Sequence, residues 1–184
     1  TDKTPMVWRG PMASGALQQL LQQTAWSDLD YLIVDMPPGT GDIQLTLSQQ
    51  VSVGGAVIVT TPQEIALADA RKGIEMFRKV SVPIIGVVEN LSYFVCDGCD
   101  RKHTLFGDGG GERVAAEYGT SLLGEFPLDP AIREQTDAGV PIVAIDDASP
   151  MSILYMDCAR RTAAALWLIS RDKAPTPTLS MDDQ

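Results

Sequence analysis

Tyr31-Leu32-Ile33-Val34-Asp35-Met36-Pro37-Pro38-Gly39-Thr40-Gly41-Asp42 is the stretch on which the fold of this chain turns. Leu32, Ile33 and Val34 form a short apolar run that ends on one carboxylate, Asp35. Two prolines follow, and because proline has no N–H to donate, a sheet ladder stops there. Gly39 and Gly41 permit backbone shapes closed to other residues, and Asp42 is placed to cap a following helix. A buried strand delivering one acid to a glycine-rich turn is how phosphate-handling α/β proteins hold a hydrated magnesium ion beside a nucleotide. On that reading Asp35 accepts from metal-bound water and Gly39 offers its N–H to a terminal phosphate. The pattern equally suits an ordinary strand end and turn.

Working outward, strands are expected at 32–35, 56–60, 83–88 and 122–126. Helices are expected at 14–24, 42–48, 63–80, 112–118, 131–137 and 150–170. Residues 91–111 read as irregular and 141–145 as a last extended piece. Ala56-Val57-Ile58-Val59-Thr60 is apolar on consecutive residues, which fits a parallel sheet covered on both faces. The alternation of strand and helix gives an α/β fold with right-handed crossovers. Ligands of such folds lie beyond the carboxyl ends of the strands, here 35–42, 60–63, 89–111 and 127–130. Residues 1–170 form one domain, and 171–184, rich in proline, threonine and acids, read as a mobile tail.

At 184 residues the chain can bury a real core, and 45% hydrophobic with 21% charged residues is ordinary globular composition. No apolar run approaches the roughly 20 residues of a membrane span. The start, Thr1-Asp2-Lys3-Thr4-Pro5, has no basic region leading into an apolar one, so no signal peptide is read. A net charge of −10 argues against wholesale binding of nucleic acid or acidic membranes. The first residue is not Met and the first clear element is a helix, which suggests a piece of something longer.

Three cysteines, Cys96, Cys99 and Cys158, do not make a secreted disulfide framework and point to a reducing cytoplasm. Cys96-Asp97-Gly98-Cys99 puts two thiolates three positions apart, where both can face one metal. Two thiolates do not complete a tetrahedral zinc site or a four-iron cluster. The spacing leaves three readings open: a cluster bridging two copies of the chain, a zinc knuckle completed by His103 and an acid such as Asp97, or a dithiol redox pair. Unligated thiols are the bland alternative. Cys158 reads as a small core residue within a helix. Gly107-Asp108-Gly109-Gly110-Gly111 lacks the G-K-[ST] ending of a Walker A loop and reads as a flexible hinge before a helix. Asn90, at the expected end of a strand, could bond a purine edge or be satisfied within its own turn.

Several stretches then occur in a telling order. They are Val7-Trp8-Arg9-Gly10-Pro11-Met12, Asp30 through Asp42, Thr60-Thr61-Pro62-Gln63, Val88-Glu89-Asn90-Leu91-Ser92, the Cys96/Cys99 pair, Phe106-Gly107-Asp108-Gly109-Gly110 and Pro127-Leu128-Asp129-Pro130. From about Val7 to Ile169 the chain resembles the C-terminal two-thirds of Mrp/ApbC-type iron–sulfur cluster carriers, a branch of the ParA/MinD-like P-loop ATPases. Partition and septum-site ATPases share that fold but lack the cysteine pair. The resemblance implies that Asp35 is the Walker B aspartate and Gly39 the switch glycine facing the terminal phosphate. It implies that Asn90 reads adenine, with Pro127 to Asp129 flanking the base. It implies that Cys96 and Cys99, with the same pair from a second subunit, hold a bridging 4Fe-4S cluster that passes to recipient apoproteins. It also implies ATP and Mg²⁺ as ligands of the intact protein.

The family's Walker A loop, first strand and switch I acid would precede Val7, so ATP hydrolysis is implied for the intact protein and left open for this chain. In the family's sheet that first strand lies between the Asp35 strand and the Val57 strand. A gap or distorted join is therefore expected between residues 32–35 and 56–60. The alternatives to a cluster carrier are a zinc-bound dimerisation module of the same fold and a nonfunctional fragment.

Overall fold

A computed structural model describes residues 10–36, 48 and 51–172. Three parallel strands form its centre: β1 (Ala56–Thr60), β2 (Ile84–Val95) and β4 (Leu122–Pro127), with β2 between the other two. A two-residue strand, β3 (Lys102–His103), folds back antiparallel on the end of β2. The helices are α1 (Gly10–Gln23), α2 (Glu64–Lys79), α3 (Gly110–Tyr118), α4 (Pro130–Asp137), α5 (Ile142–Ile145) and α6 (Pro150–Asp172).

Consecutive apolar residues in the strands supply both faces of the sheet, as a parallel sheet requires. One face buries Ile58 and Val87 against Leu67, Ala70 and Ile74 of α2 and Val114 and Ala115 of α3. The spacing of Leu67, Ala70 and Ile74 is that of one helix face. The other face buries Ile85, Val88, Leu123 and Phe126 under Leu154, Tyr155, Cys158, Leu166 and Ile169 of α6. The sheet is thus sandwiched between helices, and Cys158 packs among apolar side chains as its composition suggested. Glu64 opens α2 and Arg78 and Lys79 close it, matching the helix dipole. Gly119 ends α3 in the left-handed conformation, φ 65°, and donates its N–H back to the carbonyl of Ala116.

Five expectations change. Residues 31–36 form no strand, and Tyr31, Leu32, Ile33 and Val34 are all exposed. An apolar run becomes a strand only beside a partner that takes its hydrogen bonds, and among the described residues β1 pairs with β2 alone. The join between 32–35 and 56–60 is open, as the resemblance implied. Residues 142–145 form a short helix instead of an extended piece, with Pro141 before its first turn. The strand expected to stop at Val88 runs on to Val95, so Glu89, Asn90 and the first part of the supposedly irregular region belong to β2. The glycine run at 107–111 is no loose hinge: α3 starts within it, and Gly110 and Gly111 lie too close to Pro62, Leu67, Glu89 and Leu122 for any side chain. Of the helix expected at 42–48 only Ser48 is described, and it is helical; of the tail expected at 171–184, Arg171 and Asp172 instead end α6, while Gly39 and residues 173–184 lie outside the described residues.

Candidate functional site

The carboxyl ends of β1, β2 and β4 open on one rim, and the candidate residues sort by which strand carries them. β1 leads into Thr61-Pro62-Gln63, where the Thr61 hydroxyl donates to the Gln63 side-chain oxygen at 2.9 Å. Gly107, at φ 115°, rests against Pro62, so the glycine loop closes over the end of β1.

β2 is irregular where it reaches this rim. Glu89 faces Glu125 of β4, and Tyr93 faces Pro127, so four residue steps on β2 match two on β4. The surplus is a bulge at 90–92. Leu91 takes the left-handed conformation, φ 54°, which is uncommon for a side chain of that size. Asn90 steadies it: its side-chain carbonyl accepts the Leu91 N–H at 2.9 Å. The amide oxygen of Asn90 is therefore used within its own turn, while its NH₂ faces no partner among the described residues. Pro127 is buried at the end of β4, and the following Leu128 N–H donates to the Tyr93 carbonyl at 2.7 Å. Asp129 caps α4 by accepting the Ala131 N–H at 2.8 Å. Asn90, in the bulge of β2, and the Pro127–Asp129 turn, at the end of β4, thus lie on neighbouring, paired strands. Asp35 is exposed on the strandless 31–36 segment, and nothing pairs that segment with β1.

Beneath the bulge is a group that pattern reading missed. Glu89 is 1% exposed, yet both carboxylate oxygens are occupied. One accepts a short hydrogen bond from the Gly111 N–H in the first turn of α3. The other accepts from the Ser92 hydroxyl at 2.6 Å. The same hydroxyl is 3.2 Å from Glu125. A buried carboxylate needs such donors, and the N-terminal turn of a helix supplies them. Gly111 is required here because a Cβ would lie 2.9 Å from the Glu89 Cβ.

Past the bulge, β2 and β3 form a hairpin, with Phe94 opposite His103 and Val95 opposite Lys102. Cys96 and Cys99 lie in its tip. The Cys96 N–H donates to the Arg101 carbonyl at 3.0 Å, and the Cys96 carbonyl accepts from Cys99 at 3.3 Å and Asp100 at 2.8 Å. Asp100 closes the turn at φ 55°. Backbone hydrogen bonding from Gly98, then the thiol and backbone N–H of Cys99, lowers the Cys96 pKa below the ordinary thiol value. Cys99 is exposed and Cys96 half-buried, with no disulfide at either. Behind the tip, the Lys102 ammonium lies 3.9 Å from the centre of the Tyr93 ring. His103 and Asp97 do not complete a site with the two cysteines: among the described residues no three His, Cys, Asp or Glu side chains form a metal-holding group. Within these described residues the pair is two ligands short of four.

A parallel sheet between helices, with its functional turns on the carboxyl rim, is the architecture of the ParA/MinD-type P-loop NTPases. The chain matches a nucleotide-binding protein from Archaeoglobus fulgidus, solved in complex with ADP, at TM-score 0.65 and 36% identity, over 76% of this chain and 56% of that one. The cell-division ATPase MinD of Pyrococcus furiosus shares the fold at TM-score 0.58 and 24% identity, over 85% of this chain and 59% of that one.

Within that class, the ParA-group model described as NUBPL iron-transfer P-loop NTPase matches residues 1–163, and the chain belongs to that family. Its relatives include the iron-sulfur cluster carrier proteins of Pseudomonas fragi, 58% identical, and Escherichia coli K12, 56% identical. These matches cover 90% and 91% of this chain and 58% and 45% of those proteins. The iron-sulfur cluster transfer protein NUBPL of Dictyostelium discoideum is 46% identical over 94% of this chain and 53% of its own length. The chain therefore spans about half the length of the curated relatives it matches. No described helix is long and apolar enough to cross a membrane.

Proposed function

We propose that this chain is the cluster-holding part of an iron–sulfur carrier. Cys96 and Cys99 bind a 4Fe-4S cluster jointly with the same pair from a second copy, and the cluster is passed on to recipient apoproteins. The carrying observation is the hairpin tip: two thiols within hydrogen-bonding reach of each other in one turn, the Cys96 pKa lowered by that bonding, and the pair two ligands short of four among the described residues. A two-fold axis supplies the missing pair without any further residue type. Transfer needs no nucleophile beyond the ligands, because recipient thiolates replace the four cysteines one at a time at an exposed site. Thiols used in this way belong in a reducing compartment such as the cytoplasm.

In the intact protein ATP and Mg²⁺ bind on the strand-end rim. Asp35 holds metal-bound water and Gly39 meets the terminal phosphate once the 31–36 segment has a strand beside it. Asn90 offers its unengaged NH₂ to the base, with Pro127 and Asp129 flanking it. ATP hydrolysis belongs to that intact form, where nucleotide state shifts how two copies meet.

Anaerobic reconstitution with ferrous iron and sulfide tests the reading. The expected product shows broad visible absorption and about four irons per two chains, and Cys96→Ala loses both. Stoichiometric zinc with no cluster would instead support a zinc-bound dimerisation module of the same fold.

A further inference from the structure

We infer that Ser92, through Glu89, is a positioning residue: it staples the bulge in β2 and so fixes the direction in which the cysteine hairpin leaves the sheet. This inference rests on the reading of Cys96 and Cys99 as cluster ligands. On that reading each chain contributes Cys96 and Cys99, so the geometry of the shared site depends on how each hairpin is aimed. That aim is not set by the sheet ladder alone. Between the Glu89–Glu125 and Tyr93–Pro127 pairs the ladder slips, and the chain passes through the left-handed Leu91. A bulge bends its strand, so the course of residues 93–95 beyond it depends on what holds the break as well as on the Leu128 N–H that bonds to the Tyr93 carbonyl.

Glu89 and Ser92 stand on either side of that break and bond to each other across it, at 2.6 Å. Both are buried, at 1% and 4% exposure, so water competes little for this bond. Ser92 has one hydroxyl proton, and the nearer acceptor is Glu89, with Glu125 at 3.2 Å as the second. Glu89 is in turn held from the other side by the Gly111 N–H, which ties the staple to α3. The chain of contacts therefore runs from the glycine loop, through Glu89 and Ser92, to the strand end that carries the hairpin. Asn90 sits inside the stapled bulge, so a ligand that engages its amide acts on the same joint.

Ser92→Ala removes the staple while leaving the Glu89–Gly111 bond, and Ser92→Thr keeps the hydroxyl. Amide hydrogen exchange on the full chain without metal reads the joint directly. The expected result is exchange about fivefold to tenfold faster at residues 93–95 and at Leu128 in Ser92→Ala, with 56–60 and 64–79 unchanged and Ser92→Thr close to the parent. No local change, an equal change throughout the chain, or a threonine variant as fast as the alanine variant would overturn the staple. The reconstituted protein supplies the second readout. Ser92→Ala should load the same iron as the parent but surrender its cluster to a chelator several-fold faster. Equal loss rates from both would overturn the positioning role. If the parent takes up no cluster, the cluster-carrier reading fails, while the exchange measurement still decides the staple.

Discussion

Gly86 and Gly73 turn the same substitution into opposite outcomes. An alanine Cβ at Gly86 would lie 2.5 Å from Leu123 Cγ and 2.7 Å from the Ser121 carbonyl oxygen. The second contact is backbone and cannot rotate away. It is also the acceptor of the Val87 N–H at 2.9 Å, so β2 and β4 must separate where they are paired. Overpacking of this kind costs about 1–3 kcal/mol. The weakened ladder bond adds about 1 kcal/mol. Alanine recovers about 0.5–1 kcal/mol by restricting the unfolded chain. The net expectation for Gly86→Ala is a loss of about 1–3.5 kcal/mol. At about 3 °C per kcal/mol for a chain of this length, the midpoint falls by roughly 3–10 °C. At Gly73, inside α2, the added Cβ meets nothing within 4 Å. There Gly73→Ala should gain about 0.5–1 kcal/mol from helix propensity and raise the midpoint by roughly 2–3 °C. Thermal and urea unfolding followed by circular dichroism give both numbers. A Gly86→Ala protein as stable as the parent would refute the close packing of β2 on β4, and with it the anchorage of the strand that delivers Cys96 and Cys99.

Two further outcomes follow from the site. Hydrogen bonding lowers the Cys96 pKa, whereas burial raises that of Cys158. As pH rises, Cys96 becomes thiolate first, so iodoacetamide should label it at lower pH than Cys158; mass spectrometry showing Cys158 labelled first would contradict this assignment. Removing the cap on α4 by Asp129→Ala should cost about 1 kcal/mol in urea melts, and Asp129→Asn should retain most of that, whereas equal losses in both would mean the side chain acts through charge and not through the Ala131 N–H.

The elements that the sequence made legible are those whose signal is local. β1 and β4 follow from consecutive apolar residues between turn formers. α2 follows from the spacing of Leu67, Ala70 and Ile74, and α3 from its glycine stop at Gly119. The meeting of Cys96 and Cys99 in one turn was legible for the same reason, since three-residue spacing keeps both at the tip of a single hairpin. Residues 32–35 show the limit: an apolar run states a wish to be covered, but a strand exists only where another strand answers its hydrogen bonds. The bulge at 90–92 was only partly legible: Asn90 read as an amide that could be satisfied within its own turn, but nothing local marked Leu91 for the left-handed conformation. Their conformation is fixed by Glu125 and Pro127 on another strand and by Gly111 on another helix. Glu89 illustrates the same point from the side of burial. A glutamate inside an apolar stretch could have been flagged as needing donors, but Ser92 lies three residues away and Gly111 twenty-two, and only the fold brings the second within reach.

The open side of β1 has a consequence for handling. Among the described residues no strand pairs with the outer side of β1, so its N–H and C=O groups there offer a template for a passing strand, and Val59 on it is 63% exposed. The run Tyr31-Leu32-Ile33-Val34 has high β-propensity and carries no charge, and Ile33 is 83% exposed. Template and sticky segment in one chain are the makings of intermolecular strand exchange, so concentration will drive self-association through this side of the sheet. A charged residue at Ile33, or any strand laid along β1, acts as a gatekeeper against it.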